Sequence, residues 1–373
     1  MTTTPVLQRN QRILEARTTF QKALDGDFRA RADVMESMTT ADFPILLGAA
    51  YGRELLQEYQ GIAPVWQKYS RRSVVPNFKP KKLVELLGGR AGLSKVKEAS
   101  EYPARGLTEA EYEFKVEKYG DRIPLTWEMF INDELDAFRN LPERLGTAAR
   151  ETEDIVAASA FFNAGNTGLN TAFFRAQNGN APVTGAEGAL SADNVEAALQ
   201  AISTRKDKDG RPIVVSGSVL MVPPALEMQA RKILTATEIR RTDGNTTTTE
   251  SNHLSGVLTL VVNPWLPVVA SGFSGVNRTW FVLPAPNSPR PAHVTGFLRG
   301  NEQPDLRVKN DAGNRVVGGS VAPEEGSFDD DTVQYRVRHS TGSSLVIPTG
   351  RPVARQAGGP PPRVNPVKEP HHA

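Results

Sequence analysis

Tyr119-Gly120-Asp121-Arg122-Ile123-Pro124-Leu125-Thr126-Trp127-Glu128-Met129-Phe130-Ile131-Asn132-Asp133-Glu134-Leu135 opens the stretch on which the reading of this chain turns. A long helical pattern then runs to Asn163-Ala164-Gly165. Leu135, Phe138, Leu141, Leu145, Ala148, Thr152, Ile155, Ser159 and Phe162 succeed one another at spacings of three or four, the period of one helix face. Asn140 followed by Glu143 resembles a capping box, with Pro142 where a first turn tolerates it. The pattern predicts a short helix to about Arg139 and a longer one from Leu141 to about Asn163, with Gly165 as a stop. At about 1.5 Å per residue the longer helix would run about 35 Å, and Leu145, Ile155 and Phe162 are its candidate core residues.

Upstream, the charge changes sign along the chain. Lys68, Arg71, Arg72, Lys79, Lys81, Lys82, Arg90, Lys95 and Lys97 are relieved only by Glu85, whereas Glu98, Glu101, Glu109, Glu111, Glu113 and Glu117 face only Arg105 and Lys115. Glu111 to Glu117 alternates strictly, as a strand with one polar face does. Gly88-Gly89-Arg90-Ala91-Gly92 reads as a turn. A basic and an acidic strand from one hairpin attract across the ladder; two unrelated solvated faces are the alternative.

Further out, residues 6–24 are loosely amphipathic. Asp42 before Pro44 predicts a helix to about Tyr59, with Leu47, Tyr51 and Leu55 inward and Gly61 ending it. Residues 166–290 read as mixed α/β: a helix capped by Ser191 and running through Ile202, strands at Val214–Val215, Val219–Val222, Leu258–Val262 and Trp280–Leu283, a helix after Pro223-Pro224, and a Thr-rich loop at Gly244–Ser251. From Pro291 the chain is extended again, with strands at Val294–Leu298, Leu306–Lys309, Arg315–Val317 and Val333–Arg338. After Arg355 the Gly-Pro-rich composition predicts a disordered tail over residues 357–373.

Bulk properties narrow the function. With 373 residues the chain can bury a sizeable core or two. A net charge of +2 gives no global drive toward nucleic acid or acidic membranes. The absence of cysteine excludes disulfides and thiolate metal sites. No apolar run approaches a membrane span, and Met1-Thr2-Thr3-Thr4-Pro5 lacks a signal-peptide layout, so cytoplasmic synthesis is expected. No catalytic, metal or cofactor motif emerges. His253, His293 and His339 are isolated, Gly89 to Lys95 lacks the Gly-Lys-Ser/Thr of a phosphate loop, and Asp329-Asp330-Asp331 with Glu324 and Glu325 reads as a solvated loop before a cation site.

The run Ile123–Phe138, followed by Leu141-Pro142-Glu143-Arg144-Leu145-Gly146, resembles the signature of the Mu-like phage major head subunit. Thr40-Ala41-Asp42-Phe43-Pro44, Asn77-Phe78-Lys79-Pro80 and Glu98-Ala99-Ser100-Glu101-Tyr102 are similar to it in the same order, so the resemblance covers residues 38–165; beyond that it rests on element order. It implies an α+β, Hong Kong 97-type phage capsid fold with an N-terminal arm, an E-loop β-hairpin, a P-domain of long spine helix and β-sheet, and a mixed α/β A-domain. On this chain the implied parts are the N-terminal arm and helix at 1–67, the E-loop at 68–118, the spine at 119–165, the A-domain at 166–290, P-domain strands at 291–340, a return to the A-domain at 341–356 beginning with Leu345-Val346-Ile347, and the tail. It implies no enzyme and no cofactor, but a shell of pentamers and hexamers enclosing double-stranded DNA, without membrane. Lys79, Lys81, Lys82, Glu111 and Glu113 become intersubunit candidates. Some members of this fold join an E-loop lysine to a neighbour's asparagine; Lys81, Lys82, Lys95 and Lys97 are the lysines in place for it, and none is singled out. A portal and a decoration protein are further implied partners. The short segment before Asp42 points to a separate scaffolding protein. The expected location is the virion, after assembly in the bacterial host cytoplasm. An encapsulin-like protein shell and an α/β enzyme with an unrecognised site are the alternatives.

Overall fold

A computed structural model of the chain describes residues 14–15, 18–19, 22, 27, 29–30, 43–87, 108–126, 141–204, 206, 217–243, 246–288, 291–309, 332–346 and 353–356. The readings of Arg139, Asn140, the Gly88–Gly92 turn, Lys95, Lys97, Val214–Val215, Arg315–Val317, the 324–331 acidic cluster and the 357–373 tail fall outside these residues, as does most of the N-terminal arm.

The first long element is α1 (Phe43–Gly61), ending at the glycine that the sequence marks. Tyr51, Leu55 and Tyr59, each four residues from the last, are buried on one face. A 3-10 turn at Val65–Lys68 follows, then β1 (Arg71–Val75), β2 (Lys81–Leu87), β3 (Thr108–Phe114), β4 (Glu117–Tyr119) and β5 (Arg122–Thr126). The alternating Glu111–Glu117 run is thus two strands, broken at Lys115-Val116 where the chain passes from one sheet to another.

The long helical pattern is borne by α2 (Leu141–Ser159), four residues shorter than the periodicity suggests. Past Ser159 the backbone turns: the Phe162 amide donates to Ser159 O at 3.0 Å, and Phe162 bridges to Leu169. The buried face is also turned by about one residue from the apolar stripe. Leu145, Gly146, Ala149, Glu153, Ala157 and Ala158 are buried, whereas Ala148 is exposed and Ile155 half-buried. Small residues let neighbours approach. A Cβ at Gly146 would lie 2.8 Å from Leu55 O of α1.

Next come α3 (Ala192–Ser203), β6 (Ser218–Val222), α4 (Glu227–Thr235), β7 (Glu238–Asp243), β8 (Thr246–Ser251), β9 (Leu258–Val262), α5 (Trp265–Val269) and β10 (Thr279–Pro284). Ser191 caps α3 by accepting from the Asn194 amide at 3.2 Å. The threonine run read as a loop is largely β8, paired antiparallel with β7; β-branched threonine suits a strand. The last strands are β11 (His293–Leu298), β12 (Asp305–Val308), β13 (Thr332–Leu345) and β14 (Val353–Gln356).

Two sheets organise the core. In one, β13 is central: Tyr335 pairs with Ile123 of β5 and Val308 of β12, and Thr341 pairs with Glu117 of β4 and Phe297 of β11. A strand has two edges, so β4 and β5 share one and β11 and β12 the other, with β1 parallel to β11 outside. Pro124, which has no N–H to give, sits on the edge strand β5. The other sheet runs β14-β10-β6-β9. Its Val219, Met221, Phe281 and Leu283 pack toward Trp66, Phe161 and Phe297, while Leu220, Val222, Trp280 and Val282 pack with Val195, Ile202 and Ala230 of α3 and α4. The crossing back differs from the sequence reading. Leu345 still pairs with His293 in the six-stranded sheet, and the return strand is Val353–Gln356 against β10.

Candidate functional site: a two-stranded ribbon and its root

Strands β2 and β3 form an antiparallel ribbon that pairs with no other described strand. Its register places Lys82 opposite Glu113 and Val84 opposite Glu111. The basic and acidic runs therefore meet across one ladder, where an opposite-charge pair adds about 0.2–1 kcal/mol. The candidate charges are not equivalent. Lys79 is exposed in a turn whose amide donates to Asn77 Oδ1 at 3.1 Å. Lys81 is half-buried, and its Nζ donates to Val74 O at 3.3 Å, tying the ribbon to β1. Glu113 is exposed, and its carbonyl accepts from Ser344 Oγ at 3.2 Å. For Lys82 and Glu111 the backbone pairing is what is described.

The ribbon is rooted where two glycines face each other. Gly296 of β11 and Gly342 of β13 are register partners. A Cβ on Gly296 would stand 2.1 Å from the Phe114 ring, and one on Gly342 would stand 2.0 Å from Lys115 O. The chain leaving β3 thus crosses directly over bare backbone, and Phe114, Val116 and Val75 are buried there against Leu298.

Behind the root, α2 carries a buried polar cluster that periodicity does not reveal. Glu153 is fully buried. Its carboxylate accepts from Tyr59 Oη at 2.5 Å, Trp66 Nε1 at 2.8 Å and Arg150 at 3.1 Å, and His339 Nε2 lies at 3.0 Å. Burial pushes the Glu153 carboxyl up, but the hydrogen bonds from His339, Tyr59 and Trp66 outweigh it and hold it below the usual range. For Asp154 burial prevails and the shift is upward, although its oxygens accept the Trp66 and Val65 amides at 2.8 and 3.1 Å. The Arg150 guanidinium lies 3.6 Å over the Tyr59 ring and donates to Tyr59 O. One turn of α2 thereby fastens α1, the 3-10 turn and β13. Of the candidate core residues, Leu145 packs with Leu55 and Val337, Phe162 lies in the main core, and Ile155 is in neither cluster. Among the described residues no group of three His, Cys, Asp or Glu could hold a metal ion, and no helix is long and apolar enough to cross a membrane.

A long helix against a six-stranded sheet, a second sheet with helices on one face and an emergent ribbon make up a Hong Kong 97-type capsid fold, in the α+β class. The family model for phage capsid protein matches residues 109–352, and the chain belongs to that family. Its function is that of a major capsid protein, a structural component of the phage head. The narrower Mu-like resemblance rests on the residues quoted above. Among solved structures, one from Gordonia phage Cozz is 13% identical, with a TM-score of 0.44 over 78% of this chain and 85% of that one. The capsid of cyanophage P-SCSP1u is 10% identical, with a TM-score of 0.44 over 80% and 89%. An encapsulin complex from Synechococcus elongatus is 11% identical, with a TM-score of 0.42 over 79% and 88%. Comparison with curated proteins gives no match.

Proposed function

We propose that this chain closes into pentamers and hexamers of an icosahedral head around double-stranded DNA, with the β2–β3 ribbon lying on a neighbouring subunit. The observation that carries this is the ribbon itself. An isolated two-stranded hairpin is marginal in water and presents two unpaired edges, yet this one is rooted by a built contact at Gly296 and Gly342. A neighbour supplies the missing cover. Lys79, Lys81, Lys82, Glu111 and Glu113 are then the intersubunit charges, α2 with the six-stranded sheet is the P-domain, and the β14-β10-β6-β9 sheet with its helices is the A-domain. The mechanism is repeated contact without turnover. A separate scaffolding protein, a portal and a decoration protein are the partners this role calls for, and assembly takes place in the host cytoplasm before the subunits reach the virion.

The test replaces residues 82–113 with a short Gly-Ser linker, keeping Lys81 and Phe114 of the root. The subunit should keep its circular dichroism and form no shells by electron microscopy. Shells that form as in the wild type would remove the ribbon from the interface. Nuclease-protected DNA inside wild-type particles is expected; protein cargo instead would favour the encapsulin-like alternative.

A further inference from the structure

The ribbon is rooted at one end of a sheet face, and the other end of the same face carries a row of arginines. Gly342, under the root, and Arg336 are six residues apart on β13, and positions an even number apart share a face of a strand. Arg122, Arg336 and Arg307 are register partners across β5, β13 and β12, and all three are exposed. Val337, on the opposite face, is buried with Leu55 and Leu145. Arg338 lies two residues along β13 from Arg336. One carboxylate answers part of the row: Asp305 Oδ2 accepts from Arg307 at 2.7 Å and from Arg338 at 3.1 Å. Arg122 donates to the neutral Gln334 side chain at 3.3 Å. Among the described residues no carboxylate pairs with Arg122 or Arg336.

Like charges directly opposite one another cost a sheet stability, and the ribbon holds the reverse excess. Its register sets Glu111 opposite Val84 and Glu109 opposite Leu86, so neither has a cation across the ladder, whereas Glu113 has Lys82. The two surfaces do not meet within one subunit. Going from β4 back into the ribbon, Glu117 pairs with Thr341, Lys115 O sits over Gly342, and Glu113 O accepts from Ser344 Oγ. The ribbon therefore leaves over the C-terminal end of β13. Arg336 lies eight residues from Ser344 in the other direction, about 27 Å at about 3.4 Å per residue. We propose that the row of Arg122, Arg336 and Arg307 receives Glu109 and Glu111 from the ribbon of a second copy of this chain. This rests on the reading of the ribbon as an intersubunit element and names the surface that takes it. The two carboxylates are about 7 Å apart along β3, and three strands span about 10 Å, so both fall within the row. Arginine's planar fork suits carboxylate oxygens. A donor at one end of a face and a receiver at the other make a head-to-tail contact, the kind that closes into rings. Lys82 serves the ribbon itself: reversing it would set two carboxylates opposite one another and loosen the strand that presents Glu109 and Glu111.

The experiment exchanges the charges in the full-length chain and reads the subunit concentration at which shells form, by light scattering at low salt, with circular dichroism for folding. Arg122→Glu with Arg336→Glu, and separately Glu109→Lys with Glu111→Lys, should each raise that concentration about tenfold or more. All four changes together should bring it back to within about twofold of the wild type, the signature of directly coupled sites. Arg175→Glu with Lys232→Glu, an equal change at exposed positions elsewhere, should gain nothing from the ribbon reversal. If the row reversal fails to fold, Arg122→Gln with Arg336→Gln relieves the row's own repulsion and should raise the threshold in the same direction. A row reversal that the ribbon reversal leaves unrescued would overturn the proposal; rescue by Asp329→Lys with Asp330→Lys instead would assign the row to the acidic run that precedes β13. Shells lost with the Gly-Ser linker but indifferent to every charge reversal would keep the ribbon at the interface and sink this pairing alone. If wild-type chains form no shells, the capsid reading fails, and the pairing is read on subunits in solution. The chain has no cysteine, so Val84→Cys with Pro124→Cys, treated with a short bismaleimide, should give a ladder of linked chains that fades with salt. A ladder no stronger than that from Val84→Cys with Arg175→Cys would overturn the proposal there too.

Discussion

Glu153 is the residue most exposed to a single substitution, because it holds a charge away from water only through its donors. Removing one partner of a buried charge pair costs about 3–5 kcal/mol. Glu153→Ala, which strands Arg150 and His339, should lower the unfolding free energy of the unassembled subunit by that much in urea melts. His293 makes a different prediction. It is fully buried, its Nδ1 is 2.7 Å from Ser70 Oγ, and burial pushes its pKa down to about 3. The folded value lies below the unfolded one, so its neutral form contributes stability that is complete above about pH 6.5 and fades as pH falls toward about 3. Melts between pH 6.5 and 5, above the carboxylate range, should show stability falling with pH by up to about 1.4 kcal/mol per unit, and His293→Gln should flatten that slope. In the sequence His293 stands only as an isolated histidine, and Glu153 carries no signal at all. Periodicity counts apolar side chains, and this helix buries a carboxylate and alanines where the count expected Ile155. What makes Glu153 internal is a tyrosine and a tryptophan about ninety positions away, a separation no local pattern spans.

At the scale of elements, the glycine pair decides whether the ribbon is held. Gly342→Ala places a methyl against the Lys115 carbonyl, which is backbone and cannot swing aside. The expected result is local: faster amide hydrogen exchange over residues 113–117 with the α2 amides still protected. Exchange unchanged at 113–117 would mean the root has slack to absorb a methyl. The helix makes a second, graded prediction. Leu145→Ala, at a buried contact with Leu55 and Val337, should cost about 2–5 kcal/mol, and Ile155→Ala, half-buried and outside the core clusters of the described residues, less than half of that; equal losses would show that Ile155 carries core packing after all. Much of this level could be read in advance. The end of α1 at Gly61, the Ser191 cap of α3 and the strands at Val219–Val222 and Leu258–Val262 follow from local chemistry. The ribbon's pairing followed from opposite charge on a basic run and an acidic one, the latter alternating. Misread were the threonine run, where polarity outweighed β-propensity, and the return strand, whose partner in β10 is set by tertiary pairing.

The ribbon is rooted at the six-stranded sheet and pairs with no other described strand, and this links subunit chemistry to assembly. Lys79 is exposed and Lys82 faces Glu113, so within one subunit these charges are worth about 0–1 kcal/mol each. Lys81, bonded to Val74 O, also belongs to the root, so changing it would confuse folding with contact. Lys79→Glu with Lys82→Glu is the cleaner pair. In a closed shell the same weak term recurs at every ribbon, and linked contacts turn a small change per site into a large change in the concentration at which shells form. The double variant should therefore fold with wild-type circular dichroism yet need a higher subunit concentration to scatter light. Salt supplies the second axis. Exposed charges are screened over about 8–10 Å near physiological ionic strength, so raising salt should push the wild-type threshold up toward that of the variant while the variant's moves little. Two thresholds that rise in parallel would place the salt-sensitive contact elsewhere on the subunit. Two that coincide at every salt would leave the ribbon's charges with no part in assembly, and its hold on a neighbour would have to come from its unpaired strand edges alone.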